Sequence, residues 1–265
     1  MFWTEFKRIN LFLLVSIFII STSCSSEETG ENEINNDEIE ESLTEEEKII
    51  RQVESVLGIS ATENYDIQIQ FKHIDQDTLK DALILVNRKE YGYHKVKEGN
   101  TERFFESNGY TGLYNFVFLK LGGNDKLIST TPVGSNVNFP LTVEFLELTS
   151  KAHKDFFVEY RIRNSLHRNY YTVRNDKMFL TFSCPVFDSI GEPKPRVYDI
   201  EHTTSEVRIA KDIALYEGRI VDYNVDEIED INAYTPKDIV RDGELYVFFI
   251  FDDKKMKYVT PMGAN

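Results

Sequence analysis

Residues 73–86 read His-Ile-Asp-Gln-Asp-Thr-Leu-Lys-Asp-Ala-Leu-Ile-Leu-Val. Asp75, Asp77 and Asp81 stand at short spacing just before a continuous apolar run, where a turn would carry them into a buried strand. Carboxylates so placed can converge on one hard cation, and Ca²⁺ takes several oxygen ligands. The same residues equally suit a structural turn. Asp75, Asp77 and Asp81 are therefore the candidate metal ligands, and a structural Ca²⁺ is the only cofactor the chain suggests.

A second set is Arg161, Arg163, Arg168, Tyr170, Tyr171 and Arg174. Arg with Tyr can bind an anion or stack on a sugar. Along 156–163, however, Phe156, Val158, Tyr160 and Ile162 alternate with Glu159, Arg161 and Arg163. That alternation reads more simply as a strand with a solvated charged face.

The sequence nominates no catalytic residue. It has no G-x-S-x-G, H-E-x-x-H, P-loop or G-x-G-x-x-G pattern. His73, His94, His153, His167 and His202 lack zinc-site spacing. Pairs such as Glu144 and Glu147 do not nominate a glycosidase, whose carboxylates are defined by geometry and not by spacing. The two cysteines are Cys24 and Cys184. Cys184 closes the apolar run 179–184 with nothing nearby to lower its pKa, so it reads as a buried structural thiol.

Positioning these residues requires a mostly β scaffold. One helix is expected over 44–57: Thr44-x-x-Glu47 is a capping box, Ile49, Val53, Val56 and Leu57 recur at helical spacing, and Gly58 is a suitable stop. Beyond it the period changes to two, as in Ile67, Ile69 and Phe71. Ala82 to Val86 suits a strand buried on both faces. Further strands are expected at 114–121, 142–148, 156–163, 169–174, 177–183, 206–210, 213–223 and 245–251. Turn signals stand at 122–125, 175–176, 217–218 and 242–243. A short helix is expected to begin at Thr235-Pro236. The fold class is mainly β, an antiparallel sandwich, barrel or propeller-like set of sheets with one N-terminal amphipathic helix. A faint repeat runs through it. Lys80-Asp81, Lys154-Asp155 and Lys211-Asp212 each open a strand, and turns at Asn124-Asp125-Lys126, Asn175-Asp176-Lys177 and Asp242-Gly243-Glu244 follow.

The first residues carry an address. Lys7 and Arg8 precede the apolar run 11–20, and then come Ser21, Thr22, Ser23 and Cys24. A basic start, a short apolar segment and small residues form a secretory signal peptide. The apolar run is about half of the roughly 20 residues that span a bilayer. Small residues immediately before a single Cys resemble a bacterial lipoprotein signal, with serine before the Cys as in lipoproteins of the Bacteroidota. The resemblance implies removal of 1–23 and attachment of lipid to Cys24, which would leave Cys184 without a partner in the chain. An ordinary secreted protein is the alternative.

Residues 25–47 hold eleven acids and no base, with few apolar residues up to 43. Such a stretch cannot bury enough surface to offset the entropy of ordering. A tether over 24–43 is expected, reaching about 25 Å as a flexible coil. Its start, Ser25-Ser26-Glu27-Glu28, resembles the surface-export signal of some Bacteroidota lipoproteins. That favours the cell surface over the periplasm.

The segment 73–86 resembles the Asp-rich loop of FG-GAP and VCBS-type β-repeat proteins, D-x-D-x-D-G-x-x-D leading into an apolar strand. His73 stands at the first Asp of that pattern and Thr78 at its Gly. In that family the loop binds Ca²⁺ or simply makes the turn.

The chain has 265 residues and a formal net charge of −15. Residues 25–47 contribute −11 and residues 48–265 only −5. The folded part is thus not basic, which argues against nucleic acid as a partner. The expected protein is a lipid-anchored β module over 44–265, non-enzymatic, binding an envelope protein or a glycan and held to outer-membrane lipid through Cys24. The competing expectation is an envelope hydrolase acting on polysaccharide or peptide.

Overall fold

Thr44 begins the first helix as the sequence requires. In the computed structural model, its side chain accepts from the Glu47 amide at 3.3 Å and its own amide donates to the Glu47 carboxylate at 2.7 Å. This α1 helix (Glu45–Leu57) stops at Gly58, whose φ of 60° only glycine adopts without strain. The structure describes residues 43–124 and 127–261. The expected signal peptide, Cys24 and nearly all of the tether lie outside the described residues.

α1 buries Ile49 and Val53 against Ala82, Ile84, Val86 and Phe118 of the first sheet. Full burial of each such side chain stabilises by about 1.5–3 kcal/mol. That sheet has the order β1 (Asp66–Lys72), β2 (Asp81–Asn87), β3 (Thr111–Lys120), β4 (Leu127–Asn136). Its other face sends Leu83, Leu85, Val117 and Leu119 into a core shared with Phe156, Val158, Tyr171 and Val173. β2 is therefore covered on both sides, which is why its sequence is an unbroken apolar run.

Eight strands form the second sheet, in sequence order from one edge to the other: β5 (Thr142–Leu146), β6 (Asp155–Ile162), β7 (Ser165–Arg174), β8 (Lys177–Asp188), β9 (Arg196–Thr203), β10 (Asp212–Ile220), β11 (Ile239–Asp252) and β12 (Lys257–Val259). It curls into a half-barrel. The curl brings Phe157, Tyr170 and Cys184 against Ile213, Leu215, Phe251 and Tyr258. Every strand pair in both sheets is antiparallel. The mainly β, antiparallel fold expected from the sequence is what the protein has.

The eight strands are two meanders joined narrowly. β8 and β9 pair only at Phe187↔Val197 and Asp188↔Arg196. With the first sheet, the chain thus holds three successive meanders of four strands. The first hairpin of each has a loop of the same length, at 73–80, 147–154 and 204–211. Lys80-Asp81, Lys154-Asp155 and Lys211-Asp212 each end a loop and open β2, β6 and β10. The Lys-Asp part of the faint sequence repeat coincides with a structural repeat.

Several expectations need correction. Two more helices exist, α2 (Lys89–Glu98) and α3 (Glu102–Ser107), between β2 and β3. Residues 206–210 are not a strand but part of the β9–β10 loop, with Val207 and Ile209 exposed. No helix starts at Thr235, and the chain there runs through turns into β11. Asp242-Gly243-Glu244 is not a turn between strands, since it lies inside β11. The third meander turns instead at 253–256.

Candidate functional site

Asp81 is the first residue of β2 and is fully buried. One carboxylate oxygen accepts from the amides of Ile74 at 2.7 Å and Asp75 at 3.2 Å, and the other accepts from the amide of Gly122 at 3.0 Å. Gly122 is required there, because a Cβ would stand 2.5 Å from the Lys80 carbonyl oxygen. Asp75 accepts from the Asp77 amide at 2.8 Å, and Asp77 accepts from the Leu79 amide at 2.7 Å. These are turn bonds of the kind short acidic side chains make with their own backbone.

The two departures from the Asp-rich loop pattern have physical reasons. His73 Nδ1 donates to the Leu79 carbonyl at 2.9 Å and closes the loop, a bond no ionised carboxylate could donate. Thr78 is not among the residues with positive φ, so the loop needs no glycine there.

Ligand atoms of Asp75, Asp77 and Asp81 lie within 4.8 Å of one another, so the triad could hold a metal ion. Burial raises the Asp75 pKa, and the charges of Asp81 and Asp77 raise it further, while the Asp77 amide opposes them. A cation would relieve that crowding. Against this, Asp81 already accepts three amide bonds, and Asp75 and Asp77 each accept one.

The next loop is built the same way. Asp155 opens β6 and accepts from the amides of Leu148 at 2.8 Å and Thr149 at 2.6 Å. These are the residues seven and six positions before it, as Ile74 and Asp75 are for Asp81. The Thr149 hydroxyl donates to the second oxygen at 2.8 Å. Backbone bonds chain the loops together: the Lys154 amide donates to the Ile74 carbonyl at 2.9 Å, and the Lys211 amide to the Leu148 carbonyl at 2.7 Å. In the third loop the Arg208 guanidinium meets Asp212 with bonds of 2.8 and 2.9 Å, replacing amides with a side chain.

A cleft of about 470 Å³ opens between the first two loops, lined by Asp75, Asp77, His153, Arg174 and Asp176. His153 is buried, and burial first and Arg174 second hold its pKa below the ordinary value. Its Nδ1 has no hydrogen-bond partner. Thr149, His153 and Asp155 are the residue types of a hydrolase relay, yet their geometry is not one. The same His153 Nε2 faces Thr149 at 3.2 Å and Asp155 at 3.9 Å, and Thr149 Oγ1 gives its proton to Asp155. A relay needs the two ring nitrogens to serve different partners.

Only part of the arginine and tyrosine set is solvated: Arg163 is exposed, while Arg161, Tyr170 and Tyr171 are buried. Arg161 is buried, with its guanidinium 4.9 Å from the Phe187 ring and 5.6 Å from the Phe139 ring. It donates to the carbonyls of Ile231 and Asn232, and burial pulls its pKa down to about 10. Arg168 lies 3.8 Å over Phe157 and pairs with Glu159 at 2.7 Å. Alternation misled at Arg161 because loop residues Phe139, Ile231 and Asn232 cover a face that a bare strand would leave wet. Cys184 is buried as expected, and burial pushes its thiol up to about 12.

A second cleft, of about 430 Å³, lies on β9, β10 and β11. Tyr198, Glu217, Asp242 and Tyr246 line it. Sequence reading missed these residues. The available signal was Asp242-Gly243-Glu244 interrupting an otherwise strand-like run.

No protein family, no curated protein and no solved structure matches this chain. Among the described residues, no helix is long and apolar enough to cross a membrane.

Proposed function

We propose that the chain is a lipid-anchored lipoprotein of the outer membrane, displayed at the cell surface, whose β-rich unit is a non-enzymatic binding or structural module. The observation that carries this reading is the run Ser21-Thr22-Ser23-Cys24 after a basic start and a short apolar segment. The acidic stretch 25–47 supports it as a spacer.

The non-enzymatic part is supported by how the candidate residues are used. The carboxylates of the aspartate loop serve backbone amides, and the Thr149 hydroxyl is bonded to both His153 and Asp155. In this module the loop is first a turn, and a Ca²⁺ ion held weakly by Asp75, Asp77 and Asp81 would be structural. Three meanders with equal first loops support a kinship in design with FG-GAP and VCBS-type β-repeat proteins.

Cys24→Ala tests the anchor. The variant is expected to lose fatty-acid labelling and to leave the membrane fraction. A variant that still sediments with the envelope would overturn the reading. Protease treatment of intact cells should degrade the wild-type protein if it is on the surface, and spare it if it is periplasmic.

A further inference from the structure

β11 is irregular where it passes the second cleft. Leu215 faces Val247 and Tyr216 faces Leu245, so Tyr246 is an extra residue in the strand. Gly218 then faces Arg241, so Asp242, Gly243 and Glu244 stand opposite Glu217 alone. Two bulges in succession cost ladder hydrogen bonds, and bulges of this kind re-aim side chains beside functional sites. Here they accompany Tyr246 and Asp242 in the cleft wall. A Cβ on Gly243 would meet the Glu217 side chain at 2.7 Å, so the glycine keeps room for that carboxylate.

Tyr246 is 60% exposed, so its ring face is open to a ligand. Its ring lies 5.3 Å from that of half-buried Tyr198, which supports it from behind. Around the rings stand two cations, Lys194 and Arg196, and two carboxylates, Glu217 and Asp242. Arg196 is steadied by Asp188, and Asp242 by Arg219 at 3.2 Å.

These features select a ligand class. The rim charges cancel. A phosphate-bearing ligand would meet Glu217 and Asp242, and a cationic one would meet Lys194 and Arg196. A ring bearing hydroxyls suits both signs at once, because each hydroxyl donates to a carboxylate and accepts from an ammonium or guanidinium. Its apolar C–H face suits an exposed tyrosine. The volume falls within the about 300–1,000 Å³ of small-ligand sites.

We propose that this cleft binds a neutral oligosaccharide, with one sugar ring stacked on Tyr246 and its hydroxyls bonded to the charged rim. This names a ligand for the binding-module reading and rests on it, but it is independent of the anchor.

The test is calorimetric titration of the full-length chain with maltohexaose, cellohexaose, xylohexaose, mannohexaose, laminarihexaose and chitohexaose. At least one should bind. Tyr246→Ala should weaken that binding by about tenfold or more, as loss of a central aromatic anchor does. Tyr246→Phe should retain it, Glu217→Gln should weaken it, and Leu245→Ala, outside the cleft, should leave it unchanged. Circular dichroism establishes that each variant is folded. The proposal is overturned if none of the six binds, if Tyr246→Ala binds as the wild type does, or if only inositol hexakisphosphate, run in parallel, binds at this site. Any of those results leaves the anchor standing. Conversely, the Cys24→Ala chain should bind the sugar normally even if the lipid anchor proves wrong.

Discussion

Asp81 and Asp155 hold the same position in successive loops, and each receives the amides six and seven residues behind it. Removing such an acceptor strands buried donors, at about 1–3 kcal/mol each. Asp81→Ala strands three amides, and urea unfolding should register a loss of at least about 3 kcal/mol. Asp155→Ala should behave similarly. Asp77 is exposed and accepts one local bond, so Asp77→Ala should cost less than about 1 kcal/mol. It should also remove any rise in melting temperature that millimolar Ca²⁺ gives the wild type. An unchanged melting temperature with Ca²⁺ and with chelator in the wild type would leave the loop as a turn alone.

His202 provides a pH test at the same scale. Burial, then Arg168 and Lys211, lower its pKa to about 4, and its Nε2 lies 3.1 Å from the Tyr170 hydroxyl. Its folded value is below its unfolded value of about 6.5. Above pH 6.5 the ring is neutral in both states and costs nothing. As pH falls from about 6.5 to about 4, the unfolded chain takes up a proton that the folded chain refuses. Stability should fall over that window by on the order of 3 kcal/mol, and His202→Gln should flatten that part of the curve. An identical pH profile in the variant would show that other groups set the acid sensitivity.

At the scale of elements, the successes and failures of sequence reading have separable causes. α1 was legible because its capping box, apolar stripe and terminal glycine agree. α2 was not, since it buries only Gly92 and Val96 and its remaining residues are polar or exposed. β4 carries Pro132 and Gly134, which argue against a strand. It is tolerated because β4 lies at the edge of its sheet. Residues 206–210 alternate like a strand, yet Val207 and Ile209 are 84% and 81% exposed in a loop. Among the described residues nothing covers them, so Val207→Ser with Ile209→Ser should change unfolding free energy by no more than about 0.5 kcal/mol. A clear loss of stability on urea unfolding would overturn this expectation. The third turn was misplaced for a related reason: Asp-Gly usually ends a strand, but inside β11 it is accommodated by a bulge opposite Glu217.

For the whole molecule, three meanders share one plan with little shared sequence. What persists is the Lys-Asp that closes each first loop. The Asp is kept where a buried acceptor is needed, and in the third meander Arg208 takes over the donors' part. The chain by itself determined the β class, the first helix and the doubly covered strand β2, because each is written in neighbouring residues through period, capping or local hydropathy. It also placed Asp75, Asp77 and Asp81 in one turn. Only the tertiary structure decided that Arg161 is buried and Arg168 largely covered, because loop residues at 139 and 231–232 cap the first and the second lies over Phe157. Likewise, only the register between β10 and β11 brought Tyr246, Glu217 and Asp242 to one cleft with Tyr198. Those residues lie on three strands, and no local pattern encodes a meeting made by strand pairing.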